Sequence, residues 1–352
     1  MATKRLSKFK REPSAFAHNR FTPLDMAIID AIVRFRFIES SQLISFLAGN
    51  RNVIHRHLQK LWHLGLINRF SFPSLLGSQK ANYYIDNPKT LQLWAASSDV
   101  EIDKELRKEV QAHAEKEYYR LSDPAYSAEH QGKHFFTQHE LMLTRFHVAL
   151  SLACRASGGR VKLQSWIREP KPDGAQVVVP RVRWSSRRGA WEEDIDHSER
   201  VPHRPDAFFT VSIEDGVGSE PRLAHFFYEA DRATMTVADM RQKLRGYFYF
   251  IKKEAAQRQI YNAHPIRAVL IETLNPKRAE QLRDLVQDGS VCGPGRTGLF
   301  WITISEHKSA DEGEIRKLTG PDRILTRIWR LPVDEQFHSM LDGENRATAE
   351  GA

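Results

Sequence analysis

The order of the apolar segments between residues 136 and 304 constrains the fold of this chain more than any other feature. A segment with helical periodicity from about Phe136 to Ala156 comes first, and three strand-like runs follow it. Two further helical segments then alternate with two further strands. This alternation predicts a mixed β-sheet flanked by helices on both faces. The expected class is α+β or α/β, in a domain that covers residues 135–335.

Residues 170–204 interrupt this pattern. The first part, KPDGAQVVVPRVRW, is compatible with a hairpin, whereas SSRRGAWEEDIDHSERVPH is polar and has no stable period. We therefore expect an insertion rather than a core element. Its histidines, His197 and His203, are expected to be solvated loop residues, because neither has a helical partner at metal-ligand spacing.

Residues 21–95 show the pattern of a winged helix. Thr22 is a candidate N-cap with Pro23 at the first helical position, and apolar residues then recur at helical spacing. Two shorter helices are expected next, the last from about Asn52 to His63. Two strands, LINRFSF and NYYID, follow with a basic loop between them. Three helices and a two-stranded wing predict a DNA-binding unit whose third helix enters the major groove.

Long hydrogen-bond donors lie on the side of the third helix opposite its apolar face. Side chains of this kind, on the last helix of a three-helix unit, contact base edges and phosphates. The candidate DNA-binding residues, two of them on the wing, are Arg51, His55, Arg56, Gln59, Lys60, Arg69 and Lys80. The alternative is a helical unit used for dimerisation.

The remaining segments are polar and lie outside the two domains. Residues 1–20 are expected to form a flexible basic arm, and residues 336–352 a disordered tail. Residues 96–134 have the pattern of a charged helical connector, which is exposed or pairs two copies of the chain. A homodimer is a candidate arrangement, because two winged helices that read one palindrome need a contact between copies.

The charge of the chain points to a polyanionic partner. A formal net charge of +8 and a pI near 9.4 suit double-stranded DNA, because phosphate binding needs clustered Lys and Arg. The sequence contains no apolar run of about 18 residues and no signal peptide, so no membrane partner is expected and the expected location is cytoplasmic. Cys154 and Cys292 lie far apart and are expected to be packed thiols.

Three carboxylates lie at the ends of two predicted strands. Asp206 begins one strand, and Glu229 and Asp231 end the next, spaced so that their side chains share a face. If the strands pair as a hairpin, all three acids meet at one end of the sheet. Crowded acids repel each other unless a cation lies among them, and hard oxygen ligands suit Mg²⁺ or Mn²⁺. The alternative is that the acids cap strand ends and pair with surface arginines.

The segments RPDAFF and FFYEAD resemble the signature of the PD-(D/E)XK nuclease superfamily, in which a strand ending in E-x-K follows the PD. The resemblance implies a restriction-endonuclease-like mixed sheet and a catalytic, metal-binding set that includes Asp206 and Glu229. The chain departs from the signature at Asp231, which stands where the lysine belongs. Lys243 on the following helix is the candidate replacement, and Glu140 on the preceding helix is the candidate additional acid.

A wider set of motifs resembles the replication-relaxation family of bacterial plasmids and integrative elements. The motifs are TPLD, WIRE, RPDA, EADRAT and KLRGY, and the resemblance spans roughly Thr22 to Tyr249. It implies a DNA-associated protein of plasmid or mobile-element biology, with a relaxase or replication protein as a candidate partner.

Three functions follow as hypotheses. The first is a DNA-binding factor of plasmid replication or transfer whose second domain is not catalytic. The second is a Mg²⁺- or Mn²⁺-dependent DNA endonuclease or nickase that uses Asp206, Glu229 and Lys243. The third is a winged-helix transcriptional regulator whose second domain dimerises.

Overall fold

The fold consists of two compact units, Met1–Val148 and Ala149–Ala352, each with its own set of buried apolar residues. Lys80, most of the basic arm and most of the predicted connector lie outside the described residues. The computed structural model describes residues 10–16, 20–71, 81–85, 87–97, 131–170, 176–214, 219–293, 298–308, 315–332 and 334–342.

The first unit combines helices with a small antiparallel sheet. Its elements are a 3₁₀ helix (Pro13–Phe16), α1 (Pro23–Phe35), β1 (Ile38–Glu39), α2 (Ser40–Leu47), α3 (Arg51–His63), β2 (Asn68–Ser71), β3 (Ala81–Tyr84), α4 (Pro88–Ser97) and the first part of α5 (Gln131–Ala156). Thr22 caps α1 as expected. Its side chain accepts a hydrogen bond from the Asp25 backbone N–H, and the Asp25 carboxylate accepts one from the Thr22 backbone N–H at 2.8 Å.

The strands of the first unit pair in the order β1-β3-β2. Asn68 pairs with Tyr84 and Ser71 with Ala81, so β2 and β3 form an antiparallel hairpin. Helix α3, which precedes this hairpin, is capped by Asn50, whose side chain accepts hydrogen bonds from two backbone N–H groups of the first turn.

Helix α5 is divided between the two units. Leu141 belongs to an apolar cluster with Phe37 and Tyr84, and Thr144 donates a hydrogen bond to the Phe35 carbonyl at 2.9 Å. The first part of α5 therefore belongs to the first unit, whereas the sequence predicts a domain boundary at residue 135. The helical pattern is continuous there, so periodicity contains no signal for the division. No described helix is long and apolar enough to cross a membrane.

The second unit contains a seven-stranded mixed sheet, two separate two-stranded sheets and helices. Its elements after α5 are β4 (Val161–Arg168), β5 (Gln176–Ser185), β6 (Ala190–Pro202), β7 (Ala207–Ile213), β8 (Arg222–Asp231), α6 (Val237–Ile251), α7 (Glu254–Tyr261), β9 (Ile266–Thr273), α8 (Pro276–Gln287), β10 (Phe300–Ile304), β11 (Glu306–Lys308), β12 (Ile315–Lys317), β13 (Trp329–Arg330) and β14 (Phe337–His338). The sheet order is β14-β13-β10-β9-β8-β7-β4, with β8, β9 and β10 parallel. This mixture of helices and mixed sheet confirms the predicted α+β class.

Strands β7 and β8 position the acidic residues. Every residue of β7 is buried, which is typical of an inner strand. The two strands are antiparallel and Ala207 pairs with Tyr228, so the predicted hairpin is confirmed. Helices α6, α7 and α8 contribute to one core together with Phe227 of β8 and Ile271 of β9.

The predicted insertion forms a long β-ribbon from β5 and β6. Val177, Val179 and Val201 at its base are buried in the same core as α6. A Cβ atom at Gly246 of α6 would lie 3.2 Å from Val201 Cγ1, so this glycine permits the close approach of helix and ribbon. The prediction that the segment is no core element is wrong at the base, because alternating valines give β5 one apolar face.

The chain beyond residue 335 also differs from the sequence prediction. A disordered tail is expected from residue 336, whereas β14 pairs there with β13, Phe337 opposite Arg330 and His338 opposite Trp329. Met340 is fully buried. Strand pairing and one apolar anchor therefore order this segment as far as residue 342, and residues 343–352 lie outside the described residues.

Candidate functional site

The carboxylates of Asp206 and Glu229 lie together at one end of the sheet in the second unit. Asp206 immediately precedes β7, and Glu229 lies near the end of β8. Asp206 Oδ2 accepts a hydrogen bond from the Ala230 backbone N–H at 2.9 Å, which ties the two strand ends together. The register of β7 and β8 thus brings these two acids to the same place, as the sequence predicts.

Lys243 of α6 reaches both carboxylates. Its Nζ atom lies 3.6 Å from Asp206 Oδ1 and donates a hydrogen bond to Glu229 Oε2. The Lys243 side chain is 22% exposed and the Glu229 side chain 3%. An ammonium group therefore lies between the acids, although position 231 holds an aspartate where the nuclease signature has its lysine. The catalytic role of Lys243 stays a prediction.

Tyr247 is a further member of the site, although its position in the sequence predicts only an inward-facing residue of α6. Its hydroxyl donates a hydrogen bond to Glu229 Oε1, and its ring is buried. Lys243 and Tyr247 are four residues apart and therefore share a face of α6. This spacing could have predicted that Tyr247 lies beside Lys243. An inward tyrosine is usually a core residue, however, and this ring does pack against Phe227.

Burial and the presence of one ammonium beside two carboxylates together set the pKa values in this site. Burial and the charge of Asp206 raise the pKa of Glu229 to about 8, although Lys243 and Tyr247 both donate to it. Burial opposes the charge of Lys243, but Asp206 and Glu229 together raise its pKa above the ordinary value. Lys243 is therefore held in its cationic form, and Glu229 binds a proton more tightly than an ordinary glutamate does.

Asp231 does not join this group. Its carboxylate forms a buried ion pair with Arg278 of α8, in which Arg278 Nε lies 2.9 Å from Asp231 Oδ2. The same guanidinium donates to the Met235 carbonyl at 3.2 Å. Among the described residues, no group of three or more His, Cys, Asp or Glu side chains is placed to hold a metal ion. The expected three-carboxylate site is thus corrected, because α8 supplies a cation that strand alternation could not reveal.

Glu140, the candidate additional acid, lies on α5 in the first unit. Its side chain is buried, with Oε2 3.9 Å from Arg36 Nη1 and Oε1 3.9 Å from His139 Nδ1. These partners belong to its own unit, and its catalytic role stays a prediction.

His203 lies behind the site and is buried, which corrects the expectation of a solvated loop histidine. Its ring stacks on Phe250 with centroids 3.9 Å apart and lies 5.2 Å from the Tyr247 ring. Burial and then the charge of Lys243 lower the pKa of His203 to about 3. The imidazole is therefore neutral and forms part of the aromatic wall beside Tyr247. His197 is exposed and lies 3.0 Å from Asp194.

The outer face of α3 carries most of the predicted DNA-binding residues. Arg51, Arg56 and Gln59 are exposed, and His55 is partly exposed. The apolar face of the same helix is fully buried at Ile54, Leu58 and Leu61. The helix therefore has the two faces that the sequence predicts, with its long donors accessible.

Lys60 is not part of the exposed face. Its Nζ atom lies 2.7 Å from Asp25 Oδ2 and donates a hydrogen bond to the Arg20 carbonyl at 2.7 Å. Asp25 is fully buried, and its other oxygen lies 2.8 Å from His57 Nδ1. Burial opposes the charge of Asp25, but Lys60 and His57 lower its pKa. Lys60 thus neutralises a buried helix-cap acid, which corrects its expected place on the exposed face of α3, and its contact with DNA stays a prediction.

The two residues that the sequence predicts on a wing, Arg69 and Lys80, are described only in part. The Arg69 guanidinium on β2 lies 4.1 Å from the centre of the Trp62 ring. Lys80 lies outside the described residues. Contact of the wing with DNA stays a prediction.

Comparison with known proteins yields one match. A family model described as replication-relaxation covers residues 30–263, a span that begins in α1 and ends just after α7. It includes α3 and all four residues of the site, Asp206, Glu229, Lys243 and Tyr247. No curated protein and no solved structure matches the chain.

Proposed function

The chain belongs to the replication-relaxation family, and from this premise we propose that it is a DNA-binding protein of plasmid or mobile-element replication or transfer. The observation that carries the proposal is the set of long donors exposed on α3, Arg51, Arg56 and Gln59. Such side chains reach phosphates and base edges in the major groove. A net charge of +8 favours the same partner, because it attracts a polyanion.

The order of elements in the first unit supports a winged-helix interpretation of residues 21–95. Helices α1, α2 and α3 come before the β2–β3 hairpin, and β1 adds a third strand beside β3. In this arrangement the third helix enters the groove and the hairpin lies over the adjacent backbone. Duplex DNA is therefore the proposed ligand of this unit.

Replacement of one exposed arginine tests this proposal. Arg56→Ala is expected to weaken binding of a duplex by roughly 5- to 150-fold, measured by fluorescence anisotropy at fixed salt. Arg34→Ala is the matched control, since it removes the same charge from α1, where the Arg34 side chain is 52% exposed and pairs with Asp30. Equal losses in both variants, or none in either, would reject α3 as the contact surface.

A second candidate function is metal-dependent cleavage of DNA in the second unit. The observation that favours it is the position of Lys243, 3.6 Å from Asp206 and hydrogen-bonded to Glu229. Proteins bind Mg²⁺ through one or two carboxylates together with substrate and water oxygens, so Asp206 and Glu229 fit this ion or Mn²⁺. The ion would polarise a phosphodiester and lower the pKa of the attacking water.

The side chains around the two acids have separable tasks in this candidate function. Asp206 and Glu229 would hold the ion, and Tyr247 fixes the Glu229 carboxyl through Oε1. Lys243 holds a positive charge beside both acids, where it would stabilise an anionic phosphate. Asp231 has no part in this chemistry, because Arg278 engages it.

Incubation of supercoiled plasmid with Mg²⁺ or Mn²⁺ tests this candidate. Nicking by the native protein should be lost in Asp206→Asn, which keeps an oxygen acceptor for the Ala230 N–H, and in Lys243→Ala. Lys252→Ala, at the end of α6, is the matched control and should nick as the native protein does. DNA that the native protein binds but leaves intact would reject cleavage and leave the binding function or a transcriptional regulator.

A further inference from the structure

We propose that the outer end of the β5–β6 ribbon binds single-stranded DNA, with Trp184 as the ring on which a base stacks. The inference goes beyond the function proposed above, because it requires neither the α3 surface nor the carboxylate site. It concerns the stretch from Arg181 to Glu192, which contains the outer parts of both ribbon strands and the turn between them.

The ring of Trp184 is exposed, so that a base could stack on it. It pairs across the ribbon with Trp191, and the two rings make an edge-to-face contact with centroids 5.7 Å apart and planes at 76°. Trp184 is 54% exposed, whereas Trp191 is partly buried. Trp191 thus packs against Trp184 and helps to hold it in place, and the ring of Trp184 remains accessible.

The ribbon is held firmly enough to present this ring. The Arg241 guanidinium of α6 lies 5.1 Å from the centre of the Trp191 ring and donates to Ser290 Oγ at 2.9 Å. Arg245, one turn further along α6, donates to the Pro180 carbonyl at 2.6 Å and to the Ser290 carbonyl at 2.7 Å. These contacts join the ribbon to a helix, so Trp184 is not carried on an isolated hairpin.

The charge of the outer ribbon suits a phosphate backbone. This stretch contains one acid, Glu192, and four arginines, Arg181, Arg183, Arg187 and Arg188. Glu192 is engaged by two of them, with Arg188 Nε at 3.2 Å and Arg183 Nη2 at 3.9 Å. Arg181 and Arg187 are exposed and make no ion pair with the described residues. Strand alternation places Arg181 and Arg183 on the face of the ribbon opposite Trp184, with Arg181 across from Asp194, so the turn residue Arg187 is the exposed cation offered to a phosphate at this end of the ribbon.

Beyond Glu192, β6 contains four further acids, Glu193, Asp194, Asp196 and Glu199, so the excess of positive charge is confined to the outer end of the ribbon. Glu193 accepts a hydrogen bond from Tyr249 of α6, and Asp194 lies 3.0 Å from His197 Nδ1. Both carboxylates thus have partners within the protein.

Proteins that bind single strands combine exposed aromatic rings with a basic surface along the backbone, and base stacking tolerates any sequence. A duplex hides its base faces, so the unpaired strand is the ligand that uses Trp184.

Fluorescence anisotropy of the full chain with a labelled oligothymidine of about 15 nucleotides tests the proposal. Trp184→Leu should raise the Kd by about tenfold or more, because leucine keeps the apolar bulk but has no π-face. Trp184→Phe should bind within about threefold of the native protein, since stacking is retained. Arg187→Ala should lower the slope of log affinity against log salt by about 0.7, the value for one phosphate contact to a single strand.

The outcomes separate this proposal from the function of the first unit. Arg51→Ala/Arg56→Ala should lose affinity for duplex DNA and keep its affinity for oligothymidine. Native affinity in Trp184→Leu, or no binding of oligothymidine by the native protein, overturns the proposal. Loss in Trp184→Ala with full retention in Trp184→Leu also overturns it, because an apolar contact, as in a protein interface, would then explain the surface. Thermal unfolding of each variant verifies that the fold is intact.

Discussion

At the scale of single residues, the site in the second unit is defined by an excess of acid over base. Asp206 and Glu229 share one ammonium, that of Lys243, within a largely buried space. Burial is the largest cause that disfavours the ionised form of Glu229, and the charge of Asp206 adds to it, because one ammonium cannot compensate both carboxylates. This is why the pKa of Glu229 is raised to about 8 while Lys243 stays cationic.

Glu229 should make the stability of the protein depend on pH. Its pKa is about 8 in the folded chain against an ordinary glutamate value of 4.5, so the folded protein holds the proton more tightly than the unfolded chain does. Stability is therefore greatest below about pH 4.5 for this group and falls as the pH rises towards about 8, by up to about 1.4 kcal/mol per pH unit. Lys243 does not contribute in this window, because its pKa is raised from an ordinary value of 10.5 and therefore changes the stability only at pH values above 10.5.

Urea unfolding of the native protein and of Glu229→Gln, at several pH values in this window, measures the effect. The glutamine variant keeps the shape of the side chain but cannot titrate. The difference in unfolding free energy between the two proteins should change steadily with pH. A constant difference would mean that Glu229 is ionised in the folded protein throughout.

The Asp231–Arg278 pair is expected to be structural. Both side chains are nearly fully buried, so Asp231→Ala leaves an unpaired guanidinium in the interior and should cost about 3–5 kcal/mol of unfolding free energy. The double variant Asp231→Ala/Arg278→Met removes both charges and should be more stable than Asp231→Ala alone. Urea denaturation of the two variants measures this. Equal stability of the two would show that the pair is not coupled.

At the scale of elements, α6 connects the carboxylate site with the ribbon. Lys243 and Tyr247 contact Glu229, whereas Arg241 and Arg245 contact the ribbon or its neighbourhood. Thr236 caps the helix, and its side chain accepts from the Asp239 backbone N–H. One helix thus orients the ammonium and also supports the strand pair that carries Trp184.

The close approach of α6 to β6 leads to a prediction at Gly246. Even a single Cβ there would lie 3.2 Å from Val201 Cγ1, so Gly246→Val should lower the unfolding free energy by about 1–3 kcal/mol through overpacking. Val201→Ala in the same chain makes room and should restore part of the loss. A double-mutant cycle by urea unfolding measures the coupling. Strict additivity would show that the two residues do not press on each other.

At the scale of the whole molecule, charge governs the expected association with DNA. The chain carries a net charge of +8, so affinity for a duplex should fall linearly with log salt concentration as counterions are released. Removal of Arg51 and Arg56 together should reduce the slope by about 0.9 for each phosphate that the variant no longer neutralises. Anisotropy titrations at several salt concentrations measure both slopes. An unchanged slope would place the phosphate contacts elsewhere on the chain.

Much of the fold could be predicted from the sequence, because the spacing of apolar residues and the capping of helices depend on residues that are close together in the chain. The Thr22 cap, the two faces of α3 and the pairing of β7 with β8 all follow from residue spacing and turn position. The meeting of Asp206 with Glu229 follows from that pairing, since a hairpin places the end of one strand beside the start of the other. Family membership rests on motifs in the same segments.

Tertiary packing decided which charged side chains meet and which reach the surface. Lys60 has the spacing of an exposed donor, yet a buried Asp25 on another helix draws it inward. Asp231 has the spacing of a third ligand, yet Arg278 of α8 engages it, and α6 brings Lys243 to the other two acids. The physical reason is that a buried charge requires a partner, and local periodicity does not specify which distant helix provides it. The sequence thus determined the elements and the two acids, and the packing of α6 and α8 determined the site.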